Sequence, residues 1–246
     1  MEETFPNYED FEESLVAFID LLGFDQRVKS IQNRNDFFEV GKLLYAINST
    51  AAGLTSAQGV LKNIKCTAVS DSMIISVACE GDGWAVFLLQ LLHSFQYELI
   101  ATSFRTLVRG YINPGRVYHK DGLLFGPGYT GAYKGEKIIG HAPRIVLSPD
   151  VVKVAKEAIN SDPDKEQKDT ALNYLQKDES DGNYFIDYLK PVGSQLDLPT
   201  EQLLKERKEI KYFIEESLIK FKSDSTVLPK YEWLKKYFEK SFVYFS

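Results

Sequence analysis

The chain has 246 residues, of which 29 are Lys or Arg and 35 are Asp or Glu, so its net charge is −6. This length suits one large domain or a domain with an appendage, and a hydrophobic fraction of 44% is ordinary for a protein with a buried core. The acidic balance and the lack of a basic run argue against a protein that wraps duplex DNA or binds membranes through a polybasic face. A small phosphorylated substrate is compatible with this charge.

Targeting and cysteine patterns point to a cytoplasmic protein. The first residues are acidic and lack the basic-then-apolar pattern of a secretory signal. The longest apolar stretch, Trp84 to Leu92, is interrupted by Gln90 and followed by His93, and it is too short to span a bilayer. Cys66 and Cys79 show neither metal-ligand spacing nor a disulfide framework, so we expect buried, reduced thiols. We expect His93 to be a core histidine.

The first half of the chain alternates short apolar runs of strand formers with helical patterns. Two of the strands lie so close together that they predict a hairpin with Asp71 at its tip. The predicted elements are a strand at Leu15–Asp20, a helix at Gln26–Ala51, strands at Val60–Val69 and Met73–Ala78, and a helix from Asp82-Gly83 to Ala101.

In the second half, Asn113-Pro114-Gly115 predicts a bend between strands Thr106–Ile112 and Arg116–His119. The order of elements predicts an α+β fold with a palm-type, ferredoxin-like sheet over residues 1–195 and a helical C-terminal appendage over residues 196–246. The remaining predicted elements are a helix at Tyr129–Lys137, a strand at Arg144–Leu147, a helix at Asp150–Ile159, a loop with one helix at Asn160–Asp181, a strand at Tyr184–Leu189, and charged helices at Glu201–Lys222 and Pro229–Lys240.

Two carboxylates stand where predicted strands end. Asp20 closes an apolar strand, and Asp71 occupies the predicted hairpin tip. An acid at the end of a buried strand is costly unless something pairs with it. Two carboxylates on adjacent strands, with no nearby histidine, suit hard cations such as Mg²⁺ or Mn²⁺ that bind nucleotides. Each Asp alone is more simply a turn or capping residue.

A glycine-rich segment follows the bent strand pair. Gly126, Gly128 and Gly131 form G-x-G-x-x-G, with Asp150 downstream. A dinucleotide-binding site needs a solid preceding strand and a long crossover helix. Here the strand is only Leu123 to Phe125 and further glycines interrupt the helix, so the pattern argues against a Rossmann site.

Taken together, these segments resemble the class III nucleotidyl cyclase catalytic domain over roughly residues 14–190. Five short sequence motifs occur in the order in which the family has them, although each motif alone is weak evidence. They are Asp20-Leu-Leu-Gly-Phe24, Ser70-Asp71, Arg109-Gly-Tyr-Ile-Asn-Pro-Gly115, Phe125-Gly-Pro-Gly-Tyr-Thr-Gly-Ala-Tyr-Lys-Gly-Glu136 and Arg144-Ile-Val-Leu-Ser148.

The resemblance implies a two-metal phosphoryl transfer. Asp20, Asp71 and the backbone carbonyl of Leu21 would hold two Mg²⁺ or Mn²⁺ ions, which activate the ribose 3′-hydroxyl and bind the triphosphate. Gly23 and Phe24 are expected in the substrate site. The family forms its active sites between the subunits of a homodimer.

The position that resembles the pyrophosphate-binding residue of the family is Arg109. A structural or surface ion pair is the alternative role for this arginine. Where the family has a transition-state Asn and Arg, this chain has Thr130 and Lys134, four residues apart on one helix face. Lysine supplies a point charge but lacks the planar fork of arginine, so these replacements also fit an inactive descendant.

Purine cyclases of the family select adenine or guanine with side chains at two positions, which together are their purine code. This chain has Thr67 and Leu123 at those positions, so the purine code is absent. Such departures, with the Trp233-Leu-x-x-Tyr237 tail, resemble the pyrimidine cyclases of the bacterial Pycsar anti-phage defence system. That resemblance implies synthesis of cyclic UMP from UTP, and the product would activate a separate effector protein. The alternatives are a cytidylate cyclase that makes cyclic CMP, a purine cyclase with other base-binding residues, and a catalytically silent nucleotide-binding regulator.

Overall fold

The computed structural model describes residues 6–56, 64–79, 84–139, 142–161, 173–190 and 200–241. A short 3-10 helix at Tyr8–Asp10 precedes the sheet. The strands are β1 (Phe11–Leu21), β2 (Ile64–Val69), β3 (Ser72–Ala78), β4 (Val108–Lys120), β5 (Leu123–Phe125), β6 (Ile145–Leu147), β7 (Leu175–Lys177) and β8 (Tyr184–Ile186). The helices are α1 (Phe24–Lys29), α2 (Arg34–Ser56), α3 (Trp84–Ala101), α4 (Pro127–Ile138), α5 (Pro149–Ser161), α6 (Thr200–Lys220) and α7 (Leu228–Lys240).

One mixed sheet organises the described part of the chain. Its strand order is β2-β3-β1-β4-β6-β8-β7, with β5 paired to β4. The β4–β6 pair is parallel, whereas the other pairs are antiparallel. Strands and helices in this arrangement confirm the predicted α+β class, and the predicted C-terminal helices are present as α6 and α7.

The central strand β1 is buried on both faces, which explains its unbroken apolar run. Leu15 and Ile19 face a core that is completed by α2, α3 and α5. Val16 and Phe18 face the opposite side and pack with Ala132 of α4. The sheet therefore lies between two helical layers, and α4 covers the face that carries the even-numbered residues of β1.

Helix α3 is buried against the sheet, as its all-round apolar composition predicts. His93 is 1% exposed and forms a hydrogen bond with the carbonyl oxygen of Lys190 at 2.8 Å, so it is a satisfied core residue. The prediction for the thiols is wrong in part, because Cys66 is half-buried and Cys79 is exposed. Cys79 lies just beyond the last residue of β3, where the strand leaves the core.

The bend predicted at Asn113-Pro114-Gly115 is wrong, because strand β4 runs unbroken from Val108 to Lys120. The whole of strand β1 pairs with β4, and this pairing holds Pro114 opposite Leu15. On β4, strand β6 pairs only with Gly110–Ile112 and strand β5 only with Tyr118–Lys120, so Pro114 lies between these two ladders and removes no bond from either. A side chain at Gly115 would come 3.0 Å from the backbone nitrogen of Gly128, so this glycine lets α4 approach the strand closely.

Other differences are local. The single helix predicted at Gln26–Ala51 is two helices, α1 and α2. Strand β7 lies in the segment that we predicted as a loop, and the adjacent residues 162–172 lie outside the described residues. The start of the predicted Val60–Val69 strand, the Asp82-Gly83 helix start, His141 and the boundary at residues 195 and 196 also lie outside them.

The C-terminal helices share a core with the sheet. Ile210 and Ile214 of α6 pack with Val146 of β6 and Phe185 of β8. Several of the tail aromatic residues belong to this core or pack against it, whereas Tyr212 is exposed and Phe242 lies outside the described residues. The aromatic members are Phe213, Tyr231, Trp233, Tyr237 and Phe238. None of the helices in the described part of the chain has the length and apolarity needed to cross a membrane.

Candidate functional site

The two predicted carboxylates meet at one edge of the sheet. Asp20 is the penultimate residue of β1, opposite Ser72 of β3. Asp71 lies in the two-residue turn between β2 and β3, where Ser70 has a positive φ of 54°. The backbone N–H of Leu21 donates a hydrogen bond to the carbonyl oxygen of Asp71 at 3.0 Å. The tip of the hairpin is thus bonded directly to the end of β1.

Arg109 lies opposite Asp20 on β4. Its Nη2 is 3.3 Å from Asp20 Oδ2, and its Nε forms a close ion pair with Glu136 Oε1. Glu136 projects from α4 and is only 2% exposed. One guanidinium therefore joins the end of β1, β4 and α4, with its charge shared between two carboxylates.

Burial dominates the electrostatics of these acids. It raises the pKa of Asp20, Arg109 opposes the increase, and the neighbouring Asp71 adds to it. Burial also raises the pKa of Glu136, which Arg109 again opposes and Asp20 reinforces. Asp20 and Glu136 therefore share Arg109 at this edge of the sheet, with Asp71 close enough to repel Asp20.

A pocket of about 740 Å³ opens over this edge. Asp20, Leu21, Asp71 and Arg109 line it on the sheet side. Helix α1 and its N-cap supply two of the predicted substrate residues, Gly23 and Phe24, and residues of α6 and the start of α7 also line the pocket. Gly23 has φ 77°, a left-handed conformation that glycine adopts without strain, and it turns the chain from β1 into α1.

The residues at the pocket fit a magnesium or manganese ion. No group of three or more His, Cys, Asp or Glu side chains that could hold a metal occurs among the described residues. An ion here would therefore have the carboxylates of Asp20 and Asp71 and would complete its shell with backbone oxygen, water or substrate phosphate. This donor set is the one that Mg²⁺ usually takes in nucleotide enzymes.

The structure places Thr130 and Lys134 away from this pocket. Both are exposed on α4, whereas Ala132 and Glu136 of the same helix are buried against the sheet. The hydroxyl of Thr130 donates to the carbonyl oxygen of Gly126 at 3.0 Å. These two residues therefore face outward, and a single subunit does not bring them to Asp20 and Asp71.

The two predicted base positions are also separate from the pocket. Leu123 is 46% exposed in β5. Thr67 is half-buried in β2, and its hydroxyl forms a hydrogen bond with His119 Nε2 at 2.7 Å. His119 Nδ1 forms another with the hydroxyl of Ser76 at 2.8 Å. Burial lowers the pKa of His119 to about 4, so its imidazole is neutral in this chain of hydrogen bonds.

Sequence reasoning missed several charged residues of the site, among them Glu136 and Lys230. The ion pair of Glu136 with Arg109 depends on how α4 packs on the sheet. Lys230 lies in the first turn of α7 and lines the pocket, although it is 210 residues from Asp20 along the chain. No local pattern signals such a contact, because it depends on how the C-terminal helices pack.

No protein-family model and no curated protein sequence matches this chain. Solved structures do resemble it. The adenylyl cyclase CyaB from P. aeruginosa has 14% identity and a TM-score of 0.45, covering 76% of this chain and 97% of that chain. The guanylyl cyclase domain of the RhoGC fusion protein from the fungus Blastocladiella emersonii has 15% identity and a TM-score of 0.42, with 72% and 95% covered. A bacterial light-regulated adenylyl cyclase has 15% identity and a TM-score of 0.43, with 83% and 100% covered. All three are distant, so the residues of this pocket carry the functional conclusion.

Proposed function

We propose that the protein is a pyrimidine nucleotide cyclase that converts UTP to 3′,5′-cyclic UMP and pyrophosphate. The observation that carries this proposal is the placement of Asp20 and Asp71 in one pocket, with Arg109 opposite Asp20. Two adjacent carboxylates provide oxygen ligands for divalent cations, and a neighbouring guanidinium provides a partner for phosphate. The pocket has the volume for a nucleotide-sized ligand.

In this proposal Asp20, Asp71 and the carbonyl oxygen of Leu21 hold Mg²⁺ or Mn²⁺. Such ions, when bound, neutralise the charge of the triphosphate and lower the pKa of the ribose 3′-hydroxyl. Gly23 and Phe24 form the adjacent wall, against which the substrate is held in place. Positioning and charge neutralisation supply most of the catalysis in a phosphoryl transfer, so a rigid sheet edge is a suitable platform.

Arg109 has a defined part in this reaction. It forms ion pairs with Asp20 and Glu136 in the protein alone. With a metal ion bound, Asp20 would have a second positive partner. Arg109 would bind the leaving pyrophosphate, while Glu136 keeps its guanidinium at this edge of the sheet.

A homodimer completes the proposed active site. Thr130 and Lys134 face away from their own sheet, so they would reach the pocket of the partner subunit. There, Lys134 would place a positive charge near the α-phosphate and Thr130 would donate a hydrogen bond. Exposed apolar residues accompany them on the same part of the molecule and support a subunit contact. They are Leu123 and Phe125 on β5, and Tyr133 and Ile138 on α4.

The choice of base rests on Thr67 and Leu123. Neither side chain carries a charge, which is consistent with the absence of the purine code. Because Thr67 lies outside the pocket of its own subunit, we place uracil against the Thr67 hydroxyl of the subunit that supplies Thr130 and Lys134 in the homodimer. A single hydroxyl bonded to a neutral His119 offers one further hydrogen bond. Cytosine is the alternative base, and the product would then be cyclic CMP.

We further propose that the cyclic nucleotide is a second messenger in a Pycsar-type anti-phage defence, made in the cytoplasm and read by a separate effector protein. This role is proposed from the resemblance of the sequence motifs to those of the Pycsar pyrimidine cyclases, and it has its own test. Cells that express the protein with its effector should resist phage, and Asp71→Asn should abolish the resistance. Equal plaque numbers with and without the wild-type protein would contradict it.

A catalytically silent nucleotide-binding protein is the second candidate. The specific observations that favour it are the two ion pairs of Arg109 and the hydrogen bond that Thr130 makes to Gly126. In that case nucleotide triphosphates would raise the melting temperature of the protein but would not be turned over.

The test is incubation of the protein with each of the four ribonucleoside triphosphates and Mn²⁺, followed by mass spectrometry of the products. We expect cyclic UMP from UTP, and little or no cyclic product from ATP and GTP. Asp71→Asn should reduce the rate at least 100-fold, a loss of about 3 kcal/mol of transition-state stabilisation. The matched control is Asp121→Asn, in the exposed β4–β5 turn, where asparagine tolerates the φ of 53°. No cyclic product with any nucleotide, or an Asp71→Asn variant as fast as the control, would contradict the proposal.

A further inference from the structure

The C-terminal helices form part of the pocket that contains the two aspartates. Residues of α6, the start of α7 and the turn between them form one wall of it. Phe213 and Ser217 of α6 belong to this wall, as do Asp224 and Thr226 of the turn and Lys230 of α7. Any ligand that fills the pocket above Asp20 and Asp71 therefore also contacts the C-terminal helices.

Most of the basic side chains at the pocket already have structural partners. Arg27 donates to the carbonyl oxygens of Phe104 and Arg105, at 3.1 and 3.0 Å. Arg105 donates to carbonyl oxygens at the end of α3 and forms an ion pair with Glu209 at 2.8 Å. These two guanidinium groups hold the pocket walls together, so they are poorly placed to rearrange around a ligand.

Two lysines at the pocket differ from these arginines. Lys220 is exposed, and its ammonium lies 5.2 Å from the centroid of the Phe221 ring. Lys230 is half-buried, and its ammonium group forms no hydrogen bond or ion pair with the described residues. The charges of Arg109, Asp224 and Asp20 all act on it. Burial and Arg109 lower the pKa of Lys230, while the two aspartates oppose that change.

Asp224, whose charge acts on Lys230, has another role. Its Oδ1 accepts hydrogen bonds from the backbone N–H groups of Thr226 and Val227, both at 2.9 Å. These bonds fix the turn that carries Lys230 to the pocket. Asp224 also occupies the backbone donors at the start of α7, so the lysine ammonium is the group there that remains available for an anion.

We propose that Lys230 binds the phosphate chain of the substrate, so that the triphosphate lies between the carboxylate-held cations on one wall and a lysine of the C-terminal helices on the other. This inference rests on the proposed function, because it takes the ligand of the pocket to be a nucleoside triphosphate. A half-buried ammonium without a bonded partner, next to Arg109, matches a polyanionic ligand and no neutral one. Its flexible stem lets it follow the pyrophosphate as it leaves.

The test measures phosphate binding separately from turnover. Isothermal titration with inorganic tripolyphosphate in excess Mg²⁺ compares the wild type with Lys230→Gln and Lys230→Arg. The matched control is Lys236→Gln, an exposed lysine on the same helix that does not line this pocket. We expect about tenfold weaker binding for Lys230→Gln, the loss of one charge-assisted hydrogen bond. Lys230→Arg should recover part of the affinity, and the control should bind as the wild type does.

Steady-state kinetics with UTP give a second readout. Lys230 touches the phosphates before and during the reaction, so Lys230→Gln should raise KM about tenfold and change kcat less. The thermal melts of the lysine variants should coincide, which separates lost binding from lost folding. Equal tripolyphosphate affinity for wild type and Lys230→Gln, or no binding by the wild type, would overturn the inference. If no nucleotide is cyclised but tripolyphosphate binding depends on Lys230, the proposed function fails while the phosphate site stands.

Discussion

Leu21 donates its backbone N–H to the carbonyl oxygen of Asp71 at 3.0 Å, and this bond joins the end of β1 to the tip of the β2–β3 hairpin. It fixes the backbones on which Asp20 and Asp71 stand, so their carboxylates reach the same pocket. The hydrogen bonds of the sheet hold the strand ends in place, so two carboxylates on those ends have little freedom to separate.

The first prediction concerns metal binding by this pair. Mn²⁺ should raise the melting temperature of the wild type, because an ion that binds the folded state alone stabilises it. In Asp20→Asn the stabilisation by Mn²⁺ should be lost, while the variant without metal should be about as stable as the wild type, since the change also relieves repulsion with Asp71. Differential scanning fluorimetry with a Mn²⁺ series measures both effects. Equal Mn²⁺ stabilisation of the variant and of the wild type would contradict a metal site at Asp20.

The second prediction concerns the ion pair between Arg109 and Glu136. Glu136→Leu leaves the arginine without its buried partner on α4, so we expect a loss of about 3 kcal/mol in the free energy of unfolding. Urea unfolding monitored by circular dichroism measures it. Glu39→Leu, at an exposed position of α2, serves as the comparison, because its surface pair with Lys42 contributes little to stability. A similar small change in both variants would show that the Arg109–Glu136 pair does not stabilise the fold.

The residues of the site differ in whether they can be predicted from the sequence. Asp20 and Asp71 were identifiable because an acid at the end of an apolar strand is locally unusual. The Arg109–Glu136 pair and Lys230 were not, since their positions depend on helix packing across distant parts of the chain. The same limit applies to the fold. Asn113-Pro114-Gly115 has the local composition of a turn, but pairing with β1 along 11 residues keeps β4 continuous.

A third prediction concerns the choice of base. Thr67 and Ser76 both hydrogen-bond to the neutral imidazole of His119, which donates from one nitrogen and accepts at the other. Thr67→Val removes the hydroxyl proposed to read the base, so the ratio of kcat/KM for UTP over CTP should fall toward one. Competition assays with both nucleotides measure that ratio directly. Thr50→Val, on α2 and bonded only to its own helix, is the matched control. An unchanged ratio in Thr67→Val would assign Thr67 a structural role alone.

The fourth prediction concerns the response to acid. Burial lowers the pKa of His93 and of His119 from 6.5 to about 4. Between these values the unfolded chain binds more protons than the folded protein, so stability falls as the pH decreases from about 6.5 toward 4. For each histidine, lowering the pH from 7 to 5 should reduce the free energy of unfolding by about 2 kcal/mol. Asp187, whose pKa burial raises to about 6, acts in the opposite direction over part of this range.

Urea unfolding of the wild type at pH 7 and pH 5 tests this response, with His119→Asn as the comparison. The variant should lose less stability between the two pH values than the wild type, because it lacks one of the two protonation events. If both proteins lose the same amount, His119 is not held neutral by the fold.

A fifth prediction concerns the attachment of the C-terminal helices. The hydroxyl of Tyr237 donates to Asp187 Oδ1 at 2.6 Å and accepts from the backbone N–H of Leu189 at 2.9 Å. Tyr237→Phe removes both bonds inside a core, so we expect a loss of about 2 kcal/mol in the free energy of unfolding. Tyr212→Phe, at a position 54% exposed on α6, should change it by much less. Thermal melts of the two variants compare them, and equal melting temperatures would mean that these bonds do not hold the tail.

The most direct test of the central claim is the stoichiometry of products from UTP. Purified protein with UTP and Mn²⁺ should yield 3′,5′-cyclic UMP and pyrophosphate in equal amounts, identified by liquid chromatography and mass spectrometry. Asp20→Asn and Asp71→Asn should yield neither. Hydrolysis to UMP or UDP without a cyclic product, or no turnover by the wild type with any nucleotide, would contradict the assignment of Asp20 and Asp71 to a cyclase site.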